Sequence, residues 1–153
     1  MTRNEFNTEY QKFSARAIQL SEITKREGIL ALEKMLDQEE IEKRDILEYG
    51  LQLVINKTDF SSVEEELLDI IKQESDKYTR ILMVIEVIIL IIFNGSDGEA
   101  DIAHVINSLS ADIETKGDTF LDTREESLYY ILAQSKDLAK KIVNEYLSQE
   151  GNS

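Results

Sequence analysis

The chain contains no cysteine, no proline and no tryptophan, a single histidine and only six glycines. Without cysteine there is no disulfide framework, no thiol nucleophile and no thiolate metal site. Without proline, and with so few glycines, the breakers that a many-turned sheet needs are scarce, and long helices are favoured. The single histidine, His104, leaves little for acid–base chemistry. It stands one position before Val105 on an amphipathic segment, at the edge of the apolar face, where a histidine is structural or solvated. No P-loop, GxGxxG or GxSxG motif occurs. Asp97-Gly98-Glu99-Ala100-Asp101 resembles the opening of a calcium loop. Ile102, however, stands where that loop needs glycine, and Ser108 where it needs a bidentate glutamate. These carboxylates, like Glu64-Glu65-Glu66, read as first-turn acids facing a helix dipole. The expectation is a protein that is not an enzyme and uses no cofactor and no metal.

Basic side chains are also in short supply. Seventeen lysines and arginines face 31 acidic residues, for a formal net charge of −14. A field of that sign repels phosphate backbones and anionic lipid, so nucleic acid is not an expected partner. Basic protein surfaces and cations fit it, and the acidity also serves solubility. Long hydrophobic runs are represented once, by ILMVIEVIILIIF at 81–93. A membrane span needs about 20 apolar residues, and Glu86 interrupts this shorter run. The expectation is no membrane span and a core helix that is apolar all round, with a buried strand kept open by the β-branched content. The opening MTRNEFNTEYQKF lacks the apolar stretch of a secretory signal. A cytoplasmic location is expected.

What is present is periodicity of helical type. A length of 153 residues with 42% apolar side chains suits one globular domain over 1–153. Phe6, Tyr10, Phe13, Ala17, Leu20 and Thr24 recur at spacings of four and three, one face of a helix. The stripe runs on through Gly28, Ala31 or Leu32, and Met35. Gly28 marks either a bend or a close approach by another helix. Such a stripe can seal against the chain's own core or against a second copy. A second helix is expected from about Ile41 to Ile55, and a third after Ser62, which with Glu65 has capping-box spacing. The apolar run makes the fourth, stopped by Asn94-Gly95. A fifth carries Ile102, Val105, Ile106, Leu109 and Ile113. A last follows Thr123 and Glu126, with Leu128, Ile131, Leu132, Leu138, Ile142, Val143 and Tyr146. The predicted fold is all-α: about six helices, a long N-terminal one followed by stacked helical hairpins around a very apolar central helix. GLQLVINKTD and IILIIFNGSD begin at 50 and 88 and share Asn56/Asn94 and Asp59/Asp97. They read either as an internal repeat or as ordinary helix-turn chemistry.

Residues 20–33, LSEITKREGILALE, are followed after an acidic spacer by GLQLVINKTD. This order resembles the cytoplasmic region of the MotA/PomA flagellar stator proteins, over about residues 16–75. Arg26, Glu27, Gly28, Leu30, Ala31, Leu32, Glu33, Gly50, Leu51, Gln52, Leu53, Val54, Thr58 and Asp59 carry it. Residues 1–77 are the stator-like part by this measure, and 78–153 a helical remainder. The resemblance implies contact with a rotor protein through charged residues, here Lys25, where lysine replaces the usual arginine, and Glu33, with Arg26 beside them. A spacing of eight puts Lys25 and Glu33 near one face of a continuous helix. The alternative for both is solvated surface charge. The chain departs from the family in having no membrane helices and no proline, which excludes ion conduction. The resemblance then implies an accessory or regulatory protein that binds a rotor or stator component, peripheral at the motor. A general helical adaptor unrelated to motility is the alternative. A small-ligand site would need a carboxylate cleft, beside His104 if catalytic.

Overall fold

The computed structural model describes residues 1–56, 59–95 and 102–107, with the helical positions 144 and 148. Among the described residues the fold is all-α, with no strand. Five helices have described bounds: α1 (Arg3–Glu27), α2 (Ile29–Asp37), α3 (Ile46–Ile55), α4 (Phe60–Gln73) and α5 (Lys77–Gly95). Residues 102–107 are also helical.

The first helix forms where its stripe predicts. Thr2 caps it, its hydroxyl accepting from the Glu5 N–H at 3.1 Å. Phe6, Tyr10, Phe13, Ala17, Leu20, Ser21 and Thr24 form its buried face. That face is covered within the chain itself, by α2 and α5. Phe6 and Tyr78 meet ring to ring at 5.6 Å, joining the two helix starts.

The expected continuation of this stripe as one element needs correction. Gly28 has φ +86° and ψ 170°, a conformation open almost only to glycine, and a new helix begins at the next residue. The chain reverses there. On a continuous helix Arg16 and Glu39 would lie about 35 Å apart. Instead the Arg16 Nη2 donates to Glu39 Oε1 at 2.9 Å. Nothing lies within 4 Å of where a Gly28 side chain would begin, so Gly28 is a bend and not a close approach. Leu32 and Leu36 turn inward from α2.

The apolar run is helical and central. Ile81, Met83, Val84, Ile85 and every residue from Val87 to Leu90 are at most 5% exposed, as are Ile92 and Phe93. Helices α1, α3 and α4 cover it. Among the described residues, no helix is long and apolar enough to cross a membrane. Asp76 opens α5, its Oδ2 accepting from the Thr79 N–H at 2.8 Å. The Met1 amine donates to the same carboxylate at 2.9 Å and, with Thr79, holds its pKa down at about 2. Gly50 is the close approach that Gly28 is not. A methyl group there would collide with Leu90 and come within 3.3 Å of Leu67.

Two expected boundaries move. The second helix begins at Ile46, not Ile41, after the bends of the acidic spacer. Helix α4 begins at Phe60 with Asp59 as its N-cap, so Ser62 lies inside it and the Ser62/Glu65 capping box does not form the start. Phe60 packs against the core and draws the helix back. Asn56 is the C-cap of α3 and Asp59 the N-cap of α4, so the first copy of the suspected repeat is helix-end chemistry. Ile102, Val105 and Ile106 are buried as expected, while Leu109, Ile113, the Thr123/Glu126 cap and the apolar positions of the last helix lie outside the described residues.

Gly28→Ala is expected to cost about 1–3 kcal/mol from backbone strain alone, read by urea denaturation. Gly50→Val is expected to cost about 1–3 kcal/mol by overpacking and Leu90→Ala about 2–5 kcal/mol by cavity formation. The double variant should be more stable than the two losses summed, because the new methyls fill the space Leu90 vacates. Strict additivity would place no contact between them.

Candidate functional site

The α1–α2 tip brings the residues singled out from the sequence close to one turn, but not onto one face. Lys25 and Arg26 lie in the last turn of α1, where cations complement the helix dipole, and both are exposed. Glu33 lies on α2 and is half-buried. The expected shared face of a single helix is therefore corrected: the reversal at Gly28 puts Lys25 and Glu33 on separate, antiparallel helices. Arg26 reaches only its neighbour Glu27, at 3.4 Å. Between these charges stand Ile29 and Leu30, 45% and 69% exposed. Apart from Met1, they are the only large apolar side chains exposed among the described residues.

A second feature was not legible from the sequence. Helices α1 and α5 and the start of α3 enclose a cleft of about 250 Å³. Arg16 clamps one wall. Its Nε and Nη2 donate to Glu48 Oε1 at 2.8 and 2.6 Å, and its Nη2 also donates to Glu39. Burial opposes the charged form of Arg16, but the bonds to Glu48 and Glu39 outweigh it and hold its pKa above the ordinary value. Arg44 pairs with Glu74 at 2.6 Å and Lys12 with Glu9 at 3.3 Å.

Glu86 enters this cleft from α5. Its Oε1 accepts from the Leu47 N–H, in the first turn of α3, at 3.5 Å. Burial pushes its carboxyl up to about 8; the Leu47 N–H opposes that, and the charges of Asp45 and Glu48 add to it. Asp45 stands at the rim as the N-cap of α3, yet its side chain makes no capping bond. Partial burial, with Glu42 nearby, raises its pKa as well. Among the described residues no group of three His, Cys, Asp or Glu side chains is placed to hold a metal ion. His104 is exposed on the 102–107 helix and takes no part in the cleft. The signals for this site were present singly, as a glutamate inside an apolar run and an arginine beside an apolar stripe. Only the tertiary fold brings them together.

No protein-family model, curated protein or solved structure matches this chain.

The raised pKa of Glu86 has a definite sign in stability. Unfolded, the carboxyl titrates near its ordinary value of 4.5; folded, it titrates near 8. Between these values the folded chain keeps a proton that the unfolded chain gives up, so stability falls as pH rises. Urea denaturation between pH 5 and 8.5 is expected to show a decline of about 3–5 kcal/mol. Glu86→Gln should remove most of it. A decline of the same size in the Gln variant would assign it to other groups.

Proposed function

We propose that this chain is a non-enzymatic protein-binding module whose docking element is the α1–α2 tip, and that its partner is a rotor or stator component of the bacterial flagellar motor. The observation that carries the binding role is the exposure of Ile29 and Leu30 at that tip, which apart from Met1 are the only large apolar side chains exposed among the described residues. Adjacent exposed apolar residues flanked by charges are what a protein interface presents to its partner. Gly28 holds them out on a tight reversal, where they cannot fold back on the core. Lys25 and Arg26 stand beside Glu27 and Glu33, so within a chain of net charge −14 the tip is near neutral and offers both signs of charge to a partner.

The choice of partner rests on the resemblance to the stator cytoplasmic region. The tip is built from the residues that carry it: Arg26, Glu27, Gly28, Leu30 and Glu33. Among the described residues no helix is long and apolar enough to cross a membrane, and the part proposed is that of an accessory or regulator that docks by contact.

Affinity capture from motile cells tests both halves. The parent chain is expected to retain a rotor or stator component, and Leu30→Asp or Lys25→Glu to lose it. Stability should change by no more than about 1 kcal/mol, since both residues are exposed and Lys25 complements the end of α1. A non-flagellar protein captured in the same tip-dependent way would overturn the motor assignment and leave a general adaptor. Capture that ignores both substitutions would overturn the tip as the docking element.

A further inference from the structure

We infer that the cleft between α1, α5 and the start of α3 is a receptor for one cationic group, an ammonium or guanidinium carried on a short aliphatic stem. Glu86 is the anchor. A carboxyl in the middle of the apolar core helix α5 is costly, and a leucine or glutamine would fill the same space without that cost. Its one protein hydrogen bond, from the Leu47 N–H, is long at 3.5 Å, so its oxygens retain accepting capacity. Asp45 supplies a second carboxylate at the rim, with no capping bond to hold it.

Charge balance selects a cation. The three basic residues around the cleft are already matched: Arg16 by Glu39 and Glu48, Arg44 by Glu74, Lys12 by Glu9. Glu86 and Asp45 have no cationic partner among the described residues. An anion entering the cleft would meet the Asp45 carboxylate at the rim, whereas a cation would let Glu86 ionise. The walls suit an alkyl stem, with Phe13, Leu47, Leu82 and Met83 along the lining. The volume, about 250 Å³, lies below the roughly 300–1,000 Å³ of sites for drug-sized molecules, so one head and a short stem fit. A small amine and a partner's lysine or arginine side chain present the same chemistry.

Binding is coupled to a proton. The groups facing Glu86 are Glu9, Lys12 and Arg16 from α1, and Arg44, Asp45 and Glu48 at the start of α3. Against that background Glu86 holds its proton at neutral pH. A bound cation favours the carboxylate, so the proton leaves as the cation enters. Affinity therefore rises with pH up to about 8, by up to about tenfold per unit.

The test is an NMR titration of the isotope-labelled full chain with n-butylguanidinium, with the capped peptide acetyl-Gly-Arg-Gly-amide, and with n-butanol as the uncharged control. Saturable shifts of the Leu47, Thr79 and Met83 amides are expected from the two cations and not from butanol. Affinity should be stronger at pH 8 than at pH 6. Glu86→Gln should weaken it at least tenfold at pH 8, and Asp45→Asn by less. Tighter binding of the peptide would assign the site to a partner's side chain, and tighter binding of the free guanidinium to a small ligand. Absence of saturable shifts from either cation, or affinities that survive both substitutions, would overturn the assignment. The cleft is separate from the α1–α2 tip, so neither result bears on the docking reading.

Discussion

A helix that is apolar on nearly every side has no face to give to water, and α5 imposes that condition on everything around it. Burying a large apolar side chain contributes about 1.5–3 kcal/mol, and α5 buries ten along a single rod. No one neighbour can cover so much. Helix α1 takes one side with its stripe of Phe6, Tyr10 and Phe13; α3 and α4 take others. The close approach of Gly50 to Leu90 shows how tightly α3 is drawn in. Even the reversal at Gly28 serves this arrangement, because it returns the chain along α1 and starts the path toward α3.

Polar interactions then fix the order of the helices where apolar packing would tolerate several. Arg16 reaches Glu39 beyond the end of α2 and Glu48 on α3, binding three segments to one guanidinium. Its planar fork allows several bonds at once, which a lysine could not make. Tyr49 on α3 donates to Glu66 on α4, and Arg44 before α3 pairs with Glu74 after α4. These ties cross between elements and so specify which helix lies beside which. Glu86 is the exception. It weakens the fold at neutral pH, and a group retained at such a cost marks a candidate for function more than for architecture.

Helix positions were legible in the sequence because apolar spacing reports burial directly. Every stripe position from Phe6 to Thr24 is buried, and the apolar run is a core helix despite its isoleucines and valines. The direction of the chain was not legible. A stripe read from Thr24 through Gly28 to Leu32 and Met35 assumes a continuous helix; the chain doubles back at the exposed Gly28, and α2 turns Leu32 and Leu36 inward while Met35 is only half-buried. For that reason Lys25 and Glu33 appeared to share a face. The capping box at Ser62 failed for a related reason: local spacing lacks the pull of Phe60 toward the core. The tip residues could be named in advance, since they are adjacent in the chain. The cleft could not, since Arg16, Asp45 and Glu86 meet only through tertiary packing.

The hydroxyl of Tyr10 donates to the carbonyl of Ile106 at 3.1 Å, across 96 positions of sequence. As the chain is synthesised, α1 is made before that acceptor, with α2 to α5 coming between them. Until Ile106 is made, the Tyr10 hydroxyl lacks this acceptor. Helix α1 thus depends on a residue made long after it, and a nascent chain paused before residue 106 would present the unpaired Tyr10 end to any chaperone at the ribosome exit.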